Sequence, residues 1–370
     1  MVKKATPLQI AQNQAEIALK GVNDQIVELG TYTGTLFSSL NKLQEVFDRI
    51  RNVPSEKRLQ YEEAKEIRLR WKQQAEKIDR DYKTATVKAA GSGAAGVGVG
   101  VAVAALGPTA AMGVATTFGV ASTGTAISSL SGAAATNAAL AWLGGGAVAV
   151  GGGGMAAGNV LLAMAGPIGW SIAGVSIMIS ALTLVKSILD KKHIEKIFML
   201  ISERDMRSYD LATIELKERI ARIVEEEAKI NNAVSRIETF GTDYSSMTEA
   251  QQYELGAYVN LMVSSTQLLI NPIIGLQPKY SEEDYDKFCK ECLQYTDDRL
   301  TTDEYKKRKR VITSFANLLY AIDLTERDKK LLYKVHRKNK QLLKSLDITA
   351  KEFDRDIFDV VTIVLNYLSA

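Results

Sequence analysis

Charged side chains are missing from a long internal part of this chain. Residues 89–185, 97 in a row, contain no Asp, Glu, Lys, Arg or His, although the whole chain has 43 acidic residues and 46 Lys and Arg residues. A solvated domain carries charge on its exposed faces, whereas each charged side chain at the centre of a bilayer costs about 2.5–3.5 kcal/mol. The absence of charge therefore favours a segment that enters lipid.

Cysteine and histidine are scarce, which argues against metal and redox sites. The chain has two cysteines, too few for a disulfide framework, and its two histidines, His193 and His336, stand far apart. Cys289 and Cys292 have CxxC spacing, but a zinc site needs two further ligands and a thioredoxin-like site needs a βαβ context. We expect two ordinary cysteines on a short helix, with no metal and no cofactor.

Catalytic motifs are also missing. The sequence has no Walker A motif, no Gly-x-Ser-x-Gly and no His-Glu-x-x-His, and its Gly-x-Gly pieces have no neighbouring acid or base to hold a phosphate or a ribose. The net charge of +3 is too small to indicate a nucleic-acid partner. The sequence therefore predicts a protein that is not an enzyme and has no catalytic residues.

No apolar run of 7–15 residues lies near the N-terminus, where Met1-Val2-Lys3-Lys4 leads into several Gln and Asn residues. A Sec signal peptide requires such a run. We expect the chain to be made in a reducing cytosol and to act at a membrane, after export by a route other than Sec if it leaves the cell.

Outside the uncharged segment, apolar residues follow the three–four spacing of helices. The spacing predicts a helix over 7–50, broken near Gly30 to Gly34, and further helices over 55–87, 186–240 and 248–270. Thr248 and Gln251 suggest a capping box for the last of these. Heptad spacing in the third helix suits coiled-coil-like packing: Leu216, Ile220, Ile223, Ile230, Val234 and Ile237.

These patterns predict an all-α fold: a long amphipathic helical bundle that carries the Gly/Ala-rich segment, followed by an array of shorter helices. Four regions result: long helices over 1–88, the insertion segment over 89–185, long helices over 186–272, and short helices over 273–370. Helix-start patterns in the last region lie at Ser281–Glu283, Thr302–Glu304, Thr325–Arg327 and Thr349–Glu352. We expect 7–87 and 186–270 to form an antiparallel bundle with Trp71, Ile78, Ile220 and Ile230 in its seam.

The uncharged segment contains 21 of the 27 glycines of the chain. Its two apolar arms, about 94–115 and 138–185, are each long enough to cross the ~30 Å of hydrocarbon that about 20 helical residues span. Small residues four apart let helices approach closely in lipid, and Asn side chains can hydrogen-bond between them. The residues predicted to serve insertion and oligomerisation are Gly96, Gly100, Asn137, Ala141, Gly154, Gly158, Asn159, Leu162, Gly169 and Ala173.

Other interpretations of this segment stay open. It also suits a buried hairpin in a large soluble protein or a low-complexity assembly segment, and the alternation of Val97, Val99, Val101 and Val103 with small residues suits a strand. The basic residues of the C-terminal region allow either a solvated helix face or contact with anionic lipid. These residues are Lys306, Lys307, Arg308, Lys309, Arg310, Lys329, Lys330, Lys334, Arg337, Lys338 and Lys340.

Over roughly residues 7–270 the chain consists of amphipathic helices, then a charge-free insertion over 89–185, then further amphipathic helices. This order of elements resembles that of the α-helical pore-forming toxins of the cytolysin A and haemolysin BL group. The resemblance implies a helical bundle with an apolar head that is shielded until it meets a membrane, after which several protomers assemble a pore. The segment is also similar to glycine-zipper effectors that bacterial secretion machines deliver.

The predicted function is accordingly that of a membrane-inserting, oligomeric pore-forming protein, a toxin or membrane-disrupting effector, stored in soluble form. Its expected partners are a lipid membrane, further copies of the chain and, in some assemblies, a second protein component. Two alternatives remain: a resident membrane protein whose helical domains bind a partner or shape the bilayer, and a soluble scaffold that self-assembles through the Gly/Ala segment.

Overall fold

The computed structural model describes residues 7–91, 113, 185–276, 279–280, 282–292, 302–339, 343 and 348–369. Over these residues the fold is all-α, as predicted, with one isolated parallel β-bridge between Arg51 and Asp243. The helices are α1 (Pro7–Asp48), α2 (Ser55–Gly91), α3 (Ile188–Ile237), α4 (Glu249–Ile270), α5 (Glu282–Cys292), α6 (Thr302–Leu319), α7 (Glu326–His336) and α8 (Ile357–Ser369). Short 3₁₀ turns occupy Tyr244–Ser246 and Ile274–Leu276.

Helix α1 forms because its apolar residues lie on one face. Its stripe is fully buried at Val22, Ile26, Leu29, Leu36, Leu40 and Leu43. The helix runs without interruption through Gly30 and Gly34, so the predicted break was wrong. Each interior glycine costs about 1 kcal/mol relative to alanine, and burial of Leu29 and Leu36 on either side outweighs that cost.

Helix α3 contains 50 residues, about 75 Å at 1.5 Å per residue. Its heptad stripe is buried as predicted at Leu216, Ile220, Ile223, Ile230 and Ile237, while Val234 is half-buried. Helix α4 opens with the predicted capping box, in which Thr248 accepts from the Gln251 N–H and the Gln251 side chain accepts from the Thr248 N–H.

Helices α1 and α3 run parallel to each other along the bundle. Thr35 of α1 donates to Glu227 of α3 over 2.9 Å, and further along both elements the Arg51 N–H donates to the Thr242 carbonyl over 2.9 Å. The sequence separation is nearly the same at both contacts, which fixes the direction. The prediction that these two regions pack antiparallel was therefore wrong for this pair, because α3 begins at the end of the bundle at which α1 begins.

The remaining two neighbours in the bundle run the opposite way. Helix α2 folds back on α1, where the Trp71 ring lies 5.4 Å from the Phe37 ring. Helix α4 folds back on α3, where Arg236 pairs with Glu254 at 3.0 Å and Ser265 donates to Glu226 over 2.7 Å. Helices α2 and α4 also contact each other, so the four helices enclose one core.

The predicted seam residues of this bundle are buried where the structure describes them. Trp71 and Ile230 are fully buried and Ile220 is 9% exposed. The side chain of Ile78, the fourth predicted residue, lies outside the described part. The charged helices thus bury a continuous apolar core without any contribution from strands in the described ranges.

Helices α5 to α8 pack against one another and against the N-terminal part of α3. Their core is aromatic, with Phe315 lying 5.1 Å from Phe358 and 5.8 Å from Phe353 between ring centres. Helices α5, α6 and α7 begin where the start patterns predicted, and Thr325 forms a capping box with Asp328. The start predicted at Thr349 was wrong, because residues 350–352 form a turn and α8 begins at Ile357.

Candidate functional site

The residues predicted to serve insertion and oligomerisation lie outside the described part of the chain. They are Gly96, Gly100, Asn137, Ala141, Gly154, Gly158, Asn159, Leu162, Gly169 and Ala173. What the structure does describe is the two ends of the uncharged segment, where it joins the bundle, together with one residue in its interior, Gly113.

Both ends of the uncharged segment join the bundle at the same end. Helix α2 continues to Gly91, three residues into the segment, and Val185 lies three residues before the start of α3 at Ile188. Because α2 is antiparallel to α1 and α3 is parallel to it, the end of α2 and the start of α3 both point towards the beginning of α1. We refer to this region as the segment end of the bundle.

Gly113 is buried against the middle of α1. A Cβ atom added to Gly113 would collide with the carbonyl oxygen of Ile26 and would lie 3.2 Å from the Ile26 Cγ2 atom. Ile26 is itself fully buried in the bundle core. At this one described position the uncharged segment therefore contacts the backbone of α1 so closely that only glycine fits.

Large apolar side chains are exposed near the segment end. Ile17 of α1 is 72% exposed, and Ile188 and Leu189 in the first turn of α3 are 73% and 65% exposed. Other exposed apolar residues are Ile10 of α1 and Met199, Leu200, Leu211 and Ile214 of α3. Ile188 and Leu189 adjoin each other shortly after the uncharged segment, and adjoining exposed apolar side chains are a feature of surfaces that meet a partner or a membrane.

The C-terminal helices are attached to α3 by a partly buried arginine, Arg204. Arg204 donates to the carbonyl oxygens of Leu318 and Tyr320 over 2.9 and 2.8 Å, and its guanidinium lies 3.8 Å from the centre of the Tyr320 ring. It also pairs with Asp205 at 2.7 Å. Because a cation at a helix C-terminus satisfies carbonyls that lack partners within the helix, Arg204 holds the end of α6 on α3.

Asp205 is 2% exposed, and its second carboxylate oxygen has no hydrogen-bond partner in the structure. Burial raises the pKa of Asp205 to about 6, although the charge of Arg204 acts in the opposite direction. Burial also raises the pKa of the nearby Tyr209 hydroxyl. The junction between α3 and the C-terminal helices therefore contains a carboxyl group that titrates close to neutral pH.

Helix α7 docks beside the first turns of α3. Arg327 lies 3.4 Å from Asp190, and the His193 Nδ1 atom lies 3.3 Å from Asp328. Burial opposes the charge of Asp328, yet hydrogen bonds from Thr325 and His193 hold the pKa of this carboxyl below its usual value. Between α7 and the start of α3 lies a cavity of about 250 Å³, with Val185, Lys186, Lys334 and Lys338 in its lining.

Part of the basic surface noted in the sequence is used within the fold. Arg308 pairs with Asp354 and, at 3.5 Å, with Asp356, while Lys309 pairs with Asp286 at 2.7 Å. Lys329 bridges Glu326 and Asp359, at 2.9 Å to each. For these three residues the ion pairs account for the charge.

One helical stretch in the described ranges, Glu249–Leu276, is long and apolar enough to cross a membrane. It comprises α4 and the following turn, and 56% of its most apolar stretch is buried. Leu255, Val259 and Met262 face the bundle core, so packing within the bundle explains its composition. In the described ranges no group of three His, Cys, Asp or Glu side chains is placed to hold a metal ion.

The sequence patterns missed three features of this site: the Arg204–Asp205 junction, the lysine-lined cavity and the contact of Gly113 with α1. A signal for the first was present, because Asp205 falls on the stripe of Ile201, Tyr209 and Ala212, all of which are buried. The other two depend on contacts between segments distant in sequence.

Comparisons of the chain with protein-family models, with curated proteins and with solved structures each find no match.

Proposed function

We propose that this chain is a membrane-inserting, pore-forming protein that is stored in soluble form, with its uncharged segment shielded by the helical bundle. Insertion delivers the uncharged segment, residues 89–185, into lipid while the charged helices remain outside, and several protomers assemble around one pore. The chain is proposed to have no enzymatic activity and to need no cofactor.

The observation that carries this proposal is the 97-residue segment without a charged side chain. A charge-free stretch of this length is several times the roughly 20 residues that a membrane-spanning helix requires. An exposed apolar surface of more than a few hundred Å² promotes aggregation, so a soluble form has to cover the segment. The burial of Gly113 against Ile26 supports such covering.

The geometry of the attachment also supports insertion as a unit. Both ends of the segment lie at one end of the bundle. The segment can therefore move out of the bundle as one unit while α1 to α4 keep their mutual contacts. Exposed apolar residues such as Ile188 and Leu189 lie beside its C-terminal attachment and provide contacts for a bilayer surface at the start of this process.

Release of a fluorescent dye from liposomes tests the proposal directly. The purified full-length chain is expected to release dye, and Leu162→Lys or Ala141→Lys is expected to reduce release strongly, because each lysine adds about 2.5–3.5 kcal/mol to insertion at a lipid-facing position. Helix content measured by circular dichroism should stay unchanged in both variants.

Leu59→Lys is the matched control, since Leu59 lies on α2 and is 62% exposed to solvent. It adds the same charge without touching the segment, so its dye release should equal that of the original chain. Full release by both segment variants would contradict insertion of the second arm, residues 138–185, in which both substitutions lie.

Fractionation without detergent separates the two alternative functions from pore formation. A resident membrane protein pellets with membranes from the start, whereas a stored pore-forming protein remains in the supernatant until it meets its target. A soluble scaffold also remains in the supernatant, but it self-associates without releasing dye.

A further inference from the structure

A cavity lined by lysines lies where the uncharged segment rejoins the bundle. It has a volume of about 250 Å³ and lies between the start of α3 and one face of α7. Val185, Leu331 and Val335 are buried in its lining, and Lys186, Lys334 and Lys338 are exposed around it. The lining of the cavity therefore combines buried apolar residues with three lysines from two separate parts of the chain.

The charge balance of this cavity is positive. Lys186, Lys334 and Lys338 form no ion pair with any residue that the structure describes. The one carboxylate in the lining, Asp190, lies 3.4 Å from Arg327, which neutralises it. Three lysine side chains in the lining of one cavity attract an anion, and lysine is a common phosphate ligand.

The size of the cavity restricts the anion. Pockets that enclose drug-sized ligands measure about 300–1,000 Å³, so a cavity of about 250 Å³ is too small for a large cofactor and suits a compact phosphate-bearing group. Its apolar lining provides a surface for the carbon atoms that adjoin such a phosphate.

The position of the cavity indicates the source of the phosphate. Val185 is the last residue of the uncharged segment, and Ile188 and Leu189 on the next turn of α3 are exposed. Basic residues directly beside a membrane-entering segment are typical of sites that contact anionic lipids. We propose that the cavity binds the phosphate headgroup of an anionic lipid, so that the C-terminal helices determine which membrane the segment enters. The choice of a lipid headgroup over free phosphate rests on the proposed function.

Vesicle sedimentation of the full-length chain tests this binding. The vesicles are phosphatidylcholine alone, or phosphatidylcholine mixed in equal parts with phosphatidylglycerol, and the variant is Lys334→Gln combined with Lys338→Gln. Each charge near an anionic surface contributes a factor of about 5 in affinity, so the double variant should bind the anionic vesicles roughly 25-fold more weakly. Its binding to neutral vesicles should not change.

Lys330→Gln combined with Lys351→Gln is the matched control. Both lysines are exposed in the C-terminal region, Lys330 on α7 and Lys351 in the turn before α8, and neither lines the cavity. This variant removes the same net charge, and its affinity for anionic vesicles should stay within about threefold of the original chain. An equal loss in both double variants would overturn the proposed site, because it would show attraction by overall charge alone.

Inorganic phosphate distinguishes a lipid headgroup from a free anion. Two results together would make the cavity a site for free phosphate and the lipid proposal wrong. Millimolar phosphate would raise the melting temperature of the original chain but not of the Lys334/Lys338 variant, and the affinity for anionic vesicles would equal that for neutral vesicles. Competition of phosphate with anionic vesicles, without binding to neutral ones, supports the lipid headgroup.

Dye release separates this proposal from the proposed function. Preferential sedimentation with anionic vesicles without dye release would support the headgroup site and contradict pore formation. Equal dye release from both kinds of vesicle, with no effect of the Lys334/Lys338 variant, would support pore formation and overturn the headgroup site.

Discussion

Arg68 of α2 donates a hydrogen bond over 3.2 Å to the Thr266 hydroxyl of α4, inside the core of the four-helix bundle. Its other terminal nitrogen donates to Gln44 of α1 over 2.5 Å, and its Nε atom is buried without a partner. Burial lowers the pKa of Arg68 to about 10, so the guanidinium stays charged at neutral pH. The Arg68 side chain is 2% exposed and has no carboxylate bonded directly to it. Its charged guanidinium thus joins three helices.

Replacing this arginine by an apolar side chain of similar length should stabilise the bundle. Replacement of a complete buried ion pair by packed hydrophobic residues is often neutral or stabilising by about 1–4 kcal/mol, and the hydrogen-bond partners of Arg68, Thr266 and Gln44, are neutral, so its removal leaves no bonded carboxylate behind. We expect Arg68→Met to raise the free energy of unfolding in urea by an amount in this range, and, under the proposed function, to slow dye release because the bundle opens less readily.

The controls for Arg68 are another arginine and its acceptor. Arg70→Met removes a surface pair with Glu66, in which both side chains are more than half exposed, and should change stability by less than about 1 kcal/mol. Thr266→Val should cost about 1–3 kcal/mol in the original chain and less when it is combined with Arg68→Met. Strong destabilisation by Arg68→Met would show that the guanidinium is a net stabiliser.

The Trp71 ring should be among the largest single contributors to the stability of the bundle. Trp71 is fully buried and lies against Phe37. Because truncation of a buried large aromatic leaves a cavity, Trp71→Ala should lower the free energy of unfolding by about 3–5 kcal/mol. Leu69→Ala, two residues away and 54% exposed, should cost less than about 1 kcal/mol. Similar losses in both variants would argue against the buried seam.

A single methyl group at position 113 should loosen the uncharged segment from α1. The Cβ atom of alanine would overlap the Ile26 carbonyl oxygen, so Gly113→Ala should increase binding of a hydrophobic fluorescent dye and, under the proposed function, speed liposome leakage. Gly21→Ala is the matched control, since its Cβ would meet nothing within 4 Å. It should stabilise α1 by up to about 1 kcal/mol. Unchanged dye binding in Gly113→Ala would contradict close packing at this position.

The buried carboxyl at the α3 junction should make stability depend on pH. Because the pKa of Asp205 is raised from 3.8 to about 6, the folded state binds this proton more tightly than the unfolded state. The stabilising effect of the bound proton is complete below about pH 4 and is lost as the pH rises through 6. The loss amounts to about 3 kcal/mol for a shift of roughly two units.

Asp205→Asn should therefore be more stable than the original chain at pH 7, by as much as about 3 kcal/mol, and equally stable near pH 4. Thermal denaturation across this pH range measures the difference. Asp210→Asn, at an exposed position on the same helix, should differ from the original chain by less than about 0.5 kcal/mol at every pH. A stability difference between Asp205→Asn and the original chain that grows as the pH falls would contradict a raised pKa of Asp205.

The helices of the bundle were predictable from sequence because burial of one helix face requires apolar residues at a spacing of three or four. The stripe of Leu36, Leu40 and Leu43 and the capping pair at Thr248 both identified their helices correctly. The relative direction of α1 and α3 was not predictable, because an apolar stripe reads the same in either direction and only the connecting segment decides. The apolar stripe of one helix also does not identify which other helix packs against it.

Buried charges were missed for a different physical reason. Arg68 and Asp205 lie in sequences of dense alternating charge, where most such residues are solvated. The informative signal was position: Arg68 falls on the same helix face as Ala64, Trp71 and Ala75. The residues predicted to serve membrane insertion lie outside the described part of the chain, so those predictions await the liposome experiments.

The parallel pairing of α1 with α3 has a consequence for synthesis on the ribosome. Thr35 and its partner Glu227 are 192 residues apart, and a ribosome that adds about 5–20 residues per second needs roughly 10–40 s to make that length. During this interval the apolar stripe of α1 and the entire uncharged segment have emerged, while α3 has not. Nascent chains arrested before Ile188 are therefore expected to depend on a chaperone to stay soluble, whereas chains arrested well after Ile270 can close the bundle by themselves.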